Sequence, residues 1–237
     1  MSFLADFFNA ILYRPLLNTL ILFYETTGHD IGIAVIFLTL FVRLILYPFS
    51  FRAIKSQKAL NSLQPKIQEI QRKYSNDKEK QSREMMGLYK KEKINPFSGC
   101  LPLMLQLPIL IALYQVFLKG LSPESLESAL YSFVSYPGTI NLIFLGIVNL
   151  AKPSLILALI AGFFQFLQSK MSMPKKERGL KTPDFSQMMQ YQMLYFFPAF
   201  TVFLVYKLGS IIGLYWVFST IFSVGEHYLL NRKRSRE

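Results

Sequence analysis

Arg43 is the residue whose type and position most demand an explanation. It stands in the run IGIAVIFLTLFVRLILYPFSF, residues 31 to 51, and its neighbours within a helical turn on either side are all apolar. At 1.5 Å per residue, Arg43 lies about 18 Å from the start of that run and about 12 Å from its end. A guanidinium that deep in hydrocarbon costs at least about 2.5 to 3.5 kcal/mol, so it should face protein or water rather than lipid. The ordinary alternative is snorkelling toward the headgroups, but the side chain is too short to reach them without local thinning. Gln106, Gln165 and Trp216, each in a different apolar run, could supply polar groups at a similar depth. Each also has an ordinary reading, as a helix-to-helix hydrogen bond or as packing. Gln168, Gln190 and Gln192 fall near span ends, where polarity needs no special account. We read the spans as free of carboxylates, which leaves Arg43 without a resident counterion and open to a carboxylate brought by a ligand.

The elements that must hold these residues follow from the contrast between 52% hydrophobic residues and a net charge of +12. Mean hydropathy is +0.31. In a soluble domain those values conflict; they agree if apolar residues form spans and basic residues fill the loops between them. Stretches of about 20 apolar residues, the length a bilayer core requires, occur at 31–51, 97–118, 153–171, 188–206 and 210–230. Residues 140 to 150 are too few to cross and are read as an interfacial segment within an outer loop, 119–152. Residues 3 to 24 are long enough, but Asp6, Asn9, Arg14 and Pro15 interrupt them. We read 1–30 as an outer-side amphipathic helix lying on the membrane.

Charge sets the orientation, because loops rich in Lys and Arg stay on the cytoplasmic side. The loop 52–96 carries twelve basic residues, from Arg52 to Lys93. Lys170, Lys175, Lys176, Arg178 and Lys181 mark the loop 172–187, and Arg232, Lys233, Arg234 and Arg236 the tail 231–237. With five spans and the N-terminus outside, all of the 26 basic residues except Arg14, Lys119, Lys152, Lys207 and the intramembrane Arg43 fall on the cytoplasmic side. A sixth span would put one basic segment on the wrong side. Apolar residues at Leu60, Leu63, Ile67, Ile70 and Tyr74, then at Met85, Leu88 and Tyr89, recur at helical spacing around the turn-like SNDKE, so 52–96 is read as a cytoplasmic helical hairpin. The fold class is therefore an all-α membrane protein: a five-transmembrane-helix core bundle, a cytoplasmic hairpin and an N-terminal interfacial helix.

Several classes are excluded or disfavoured. Cys100 is the single cysteine, so neither an intramolecular disulfide nor a cysteine metal cluster can form. No phosphate loop, HExxH or GxGxxG is present. His29 and His227 have no serine or cysteine that the sequence places beside them, which argues against an intramembrane hydrolase. Cofactors are expected to be none. The start MSFLADFF has no basic n-region or cleavage site, so the first residues are expected to remain in the mature chain. Topology accounts for the positive charge better than DNA binding does; the basic loops would instead meet anionic lipid.

The run LTLFVRLILYPFSFRAIKSQKALNSLQPKIQEIQRKY, followed by EMMGLYKKEKINPFSGCLPLMLQLPILIALY, resembles the YidC insertases of the Oxa/Alb superfamily. The likeness is close over about residues 30 to 118 and looser through FLQSKM and GLYWVFS. It implies five core spans around a hydrophilic groove that is open to the cytosol and the bilayer and holds the arginine matching Arg43. Gln106 matches a groove glutamine, Trp216 falls in the family's LYW element, and Gln165 is a looser match. The implied location is the bacterial cytoplasmic (inner) membrane, multi-pass, with the C-terminus cytoplasmic. The implied partners are nascent membrane proteins, the lipid bilayer, the ribosome and the Sec translocon. The chain lacks the large outer domain of many Gram-negative members and the lipoprotein signal of many Gram-positive ones. Two other readings stand beside this one. One is a small-anion transporter or channel using Arg43, which repeat symmetry and paired broken helices would favour and the sequence does not display. The other is a membrane scaffold without a client.

Overall fold

The computed structural model describes residues 3–95, 101–173 and 192–234. The start of the expected span at 97–118 with Cys100, most of the loop 172–187 with Lys175, Lys176, Arg178 and Lys181, residues 188–191 with Gln190, and Arg236 of the tail lie outside the described residues.

The described chain is helical almost throughout. An N-terminal arm runs through α1 (Phe3–Phe8), one π-turn (Asn9–Tyr13) and α2 (Arg14–Thr26). The long helix α3 (Ile31–Ser62) follows, then α4 (Gln64–Lys73) and α5 (Lys78–Lys91). Next come α6 (Leu101–Gln115), a π-turn (Val116–Gly120) and α7 (Pro123–Ala129). A small antiparallel hairpin pairs β1 (Ile143–Phe144) with β2 (Val148–Asn149). Three helices complete the described chain: α8 (Leu155–Ser172), α9 (Phe197–Leu208, after a π-turn at Gln192–Phe196) and α10 (Ser210–Arg234). By length and composition, three helical stretches suffice to cross a membrane: Ala5–Thr26, Ile31–Ser62 and Leu155–Ser172. Gln106–Gly120 and Gln192–Leu208 are apolar but shorter. Leu44, Met104, Ile156, Phe163 and Phe203 are exposed on helix flanks, as lipid-facing side chains would be.

Two features differ from the segments read off the sequence. First, α3 does not stop near residue 51. Its 32 residues continue through Pro48 to Ser62, a length of about 48 Å against the roughly 30 Å of a bilayer core, so the first span and the first part of the basic loop are one helix. A new helix starts only at Gln64, where Pro65 occupies the first turn, the one place in a helix where the missing N–H costs nothing. Second, one of the polar residues that interrupt the N-terminal arm, Arg14, is a docking group, as is Asn18 one turn on, whereas Asp6 and Asn9 are exposed. Arg14 donates to the carbonyls of Ser128 (3.2 Å) and Ala129 (3.4 Å). Asn18, which is buried, donates to the carbonyls of Arg14 (2.7 Å) and Ala129 (3.1 Å) and accepts from the Tyr131 amide (2.7 Å). The arm is thus tied to α7, and the polarity of Arg14 and Asn18 reflects that contact.

One apolar core binds these elements at one end of the bundle. Leu17, Leu20, Ile21 and Tyr24 recur on one face of α2 and pack with Ile31, Ala34, Val35 and Leu38 of α3, Leu113 of α6 and Ile212 of α10. The loop between α8 and the outer segment joins the same core through Leu150. Asp30 organises the entry to α3: its Oδ1 accepts from the amides of Gly32 (2.8 Å) and Ile33 (3.1 Å), capping the helix, while Oδ2 accepts from the Leu145 amide (2.7 Å) at the hairpin tip. Gly32 is required because a Cβ there would overlap the Phe144 ring. Residues 140–150 therefore form a cap on α3, with Ile147 and Leu145 exposed at its tip.

On the other side, α8 packs against α9 and α10 through small residues. Ala158, Ala161 and Gly162 are buried, and a Cβ on Gly162 would overlap Val202 of α9. Small residues at such crossings let helices approach in a solvent that supplies no hydrophobic drive between them.

Candidate functional site

The central stretch of α10, IIGLYWVFST, brings polar groups from three other helices together. Its residues Tyr215 and Ser219 are one turn apart and share a face. Arg43, at mid-length of α3, is partly buried against that face. Its Nε donates to Ser219 Oγ at 2.9 Å, and Nη2 donates to the same oxygen and to Gln106 Oε1 of α6 at 3.2 Å. The amide of Gln106 donates in turn to the Tyr215 hydroxyl. On the next face of α10, Trp216 Nε1 donates to Gln165 Oε1 of α8 at 3.1 Å.

The four residues singled out in the sequence thus form two pairs, at one level of α10. Arg43 and Gln106 bond directly, as do Gln165 and Trp216. No hydrogen bond joins the two pairs among the described residues. Ser219 and Tyr215, which complete the arginine's shell, were not legible. A serine in an apolar helix ordinarily bonds its own backbone, as Thr220 does here to the carbonyls of Trp216 and Val217. The one available signal was their spacing of four around Trp216.

Chemically, Arg43 is held by neutral acceptors alone. None of the three ion pairs among the described residues includes it. Hydrogen bonds to a serine and a glutamine orient the guanidinium without cancelling its charge.

The polar face continues toward the C-terminal end of α10. Gln168 of α8 donates to Ser223 Oγ (2.8 Å), Asn61 of α3 donates to the Ser172 carbonyl (2.9 Å), and Ser172 Oγ lies 3.3 Å from His227 Nε2. Two expectations need correction here. The spans are not free of carboxylates: the sequence itself places Glu226 within the fifth expected span, 210–230, and the structure buries it. His227 does have a serine neighbour, supplied by α8 and therefore invisible to local spacing. That pair is nevertheless no nucleophile and base. Ser172 Oγ donates to the Gln168 carbonyl at 3.0 Å, and His227 Nδ1 has no orienting partner. No group of three or more His, Cys, Asp or Glu side chains that could hold a metal occurs among the described residues.

A predominantly helical fold with apolar candidate spans is that of an all-α membrane protein, and a charged group is bound among those helices. The chain belongs to the family described as 60Kd inner membrane protein, which it matches over residues 22–237. It is 36% identical over 226 residues to a membrane protein insertase YidC of Lawsonia intracellularis, covering 94% of this chain and 39% of that protein. It is 36% identical over 205 residues to the one of Oceanobacillus iheyensis, covering 85% of this chain and 74% of the relative. The corresponding protein of Clostridium tetani is 34% identical over 208 residues, covering 86% and 83%. The chain therefore spans well under half of one such relative and most of the other two.

Proposed function

We propose that the chain is a membrane protein insertase. It receives nascent hydrophobic segments in a hydrophilic intramembrane groove around Arg43 and releases them into the bilayer, aiding insertion and folding, without hydrolysis and without a cofactor. The observation that carries this reading is the state of Arg43, a cation within an apolar helix that, among the described residues, is hydrogen-bonded to Ser219 and Gln106 and to no carboxylate. Moving a polar segment through hydrocarbon is expensive. A polar cavity part-way across shortens the apolar path, and a positive charge held there by neutral hydrogen-bond acceptors attracts acidic residues of the segment being moved. Gln106, Gln165 and Trp216 line the groove with Arg43. Nothing in the geometry favours a small-anion transporter.

In this reading the expected spans form a five-helix core, with the N-terminus outside and the basic tail in the cytosol of a bacterial inner membrane. The arm α1–α2 lies at the outer interface, and α4 with α5 forms a cytoplasmic hairpin. The ribosome and the Sec translocon are the partners that would deliver clients, and the basic loops meet anionic lipid.

The test is insertion of a client with an acidic outer segment into vesicles reconstituted with the chain. Arg43→Ala should lower insertion at least several-fold, and Arg43→Lys, which keeps the charge, should retain most of it. Undiminished insertion by Arg43→Ala would sink the proposal. Crosslinking of a ribosome-bound nascent chain to positions beside Arg43 separates insertion from a purely structural role.

A further inference from the structure

Glu226 is a buried charged group that the arginine cluster does not consume. It is 5% exposed, and neither carboxylate oxygen has a hydrogen-bond partner among the described residues. It stands seven residues beyond Ser219 on α10, which returns it to within about 20° of the same helix face, about 10.5 Å further along the axis. Ser219 is the residue that holds Arg43 to that face, so Arg43 and Glu226 lie along one face, two turns apart. The field of Arg43 reaches Glu226. No N–O contact within 4.0 Å joins them.

The neighbouring polar groups are engaged elsewhere. Ser223 accepts from Gln168, and His227 meets Ser172 on the side facing α8. Lys58, near the end of α3, directs its field at His227. One carboxylate beside one imidazole is too small a ligand set for a metal ion. What two unpartnered carboxylate oxygens do match is an N–H donor cation, an ammonium or the fork of a guanidinium. An ionisable side chain within a span marks a site where charge is to be met.

We propose that Glu226 is a second subsite of the groove, which accepts the lysine or arginine of a client two helical turns from the position where Arg43 meets an acidic residue. This rests on the insertase reading, both for the existence of a client and for the acidic residue that Arg43 meets. The two subsites read charge order along the segment: the acid toward the end of the bundle that carries α2 and α7, the base toward the end that carries α4 and α5. Membrane segments bear an excess of basic residues on their cytoplasmic flank, which fits that order.

The experiment uses the full chain in vesicles and two clients, one with an aspartate followed seven residues later, toward its cytoplasmic flank, by a lysine, the other with that lysine replaced by glutamine. Glu226→Gln should lower insertion of the lysine client several-fold more than that of the glutamine client. Glu226→Lys should block the lysine client and favour one carrying glutamate at the same position. Equal effects on both clients, or none, overturn the subsite. To guard against misfolding of these variants, a second measurement keeps Glu226 and places a cysteine at Phe222, one turn away on the same face, in a Cys100→Ser background. A disulfide should form with a client cysteine next to its lysine and weaken when that lysine becomes glutamine; a disulfide indifferent to the lysine counts against the subsite. If the unmodified chain inserts neither client, the insertase reading itself fails; if it inserts both and ignores Glu226, only the subsite fails.

Discussion

The two ends of the helix bundle are built on opposite principles. Where α2, α3, α6 and α7 meet, large side chains such as Leu17, Leu20, Ile21, Leu38, Leu113 and Leu126 are fully buried. Of the polar groups there, Asn18 and Asp30 have their side-chain oxygens bonded, and Glu25 Oε1 is the exception, buried without a partner among the described residues. Where α3, α8 and α10 run on toward the basic segments, the buried residues include Ser219, Ser223, Glu226 and His227 beside Ala53 and Ile54, and both Glu226 oxygens and His227 Nδ1 have no partner among the described residues. Apolar packing seals one end, while the other holds polar groups at a depth where lipid would refuse them. The contrast teaches that the same helices can be closed at one end and receptive at the other, because α3 and α10 change character along their length, from Val35 and Ile212 to Arg43 and Glu226.

That comparison can be broken experimentally, and the largest effect belongs to the sealed end. Leu113→Ala should cost about 2 to 5 kcal/mol, as large-to-small substitutions in close-packed sites do. Denaturant unfolding in detergent micelles would measure it; a loss under 1 kcal/mol would mean that the end is not close-packed. Asn18→Ala comes next, at about 1 to 3 kcal/mol, because it strips three hydrogen bonds and leaves the Tyr131 amide and the Ala129 carbonyl short of a partner. Hydrogen exchange at Tyr131 should rise with it, and unchanged protection would refute the docking role of the N-terminal arm.

At the polar end, Gln165→Leu removes a single hydrogen bond between helices and should cost about 0.6 kcal/mol, at most about 1.7. The fluorescence of Trp216, the single tryptophan, reports the loss directly. A larger destabilisation would show that the polar end is as tightly packed as the apolar one.

The smallest effect lies outside the bundle, where Lys66 of α4 meets Glu92 after α5 at 2.6 Å. The hydrogen bond and charge of Lys66 hold the Glu92 carboxyl below its ordinary value of 4.5. Because the folded value is the lower one, the contribution is present above about pH 4.5 and disappears as the pH falls through the folded value. Amide exchange near Glu92 should accelerate in that acidic range, and Glu92→Gln should remove the pH dependence while barely changing stability at neutral pH, since exposed ion pairs contribute little. Exchange that is flat across the range in the unmodified chain would show that the pair does not form.

Much of the site was legible because a charge in an apolar run is conspicuous in one dimension. Arg43 was found from its neighbours alone, and Gln106, Gln165 and Trp216 from their depth. Their partition into two pairs was not, because which faces of α10 meet α3 and α8 depends on helix rotation and crossing, which a single sequence does not encode. Ser219 and Tyr215 were missed because hydroxyls in apolar helices are common and usually bond locally. Glu226 is legible as a carboxylate within 210–230, against the expectation of carboxylate-free spans; that it is buried without a partner among the described residues is what packing adds.

Chain order and composition by themselves determined that apolar helical segments alternate with basic segments, that an arginine stands within one of the apolar segments, and that neither an intramolecular disulfide nor a cysteine metal cluster can form. These are properties of local residue types and their spacing, which lipid and water sort without reference to the rest of the chain. The tertiary structure decided that α3 continues unbroken beyond the expected span, that Arg14 and Asn18 of the N-terminal arm dock α7, and that residues 140–150 fold as a hairpin over the start of α3. It also decided that Arg43 rests on Ser219 and that Glu226 lies buried and unpaired two turns away. Those outcomes depend on which helix faces meet, and contacts between residues more than a hundred positions apart set them.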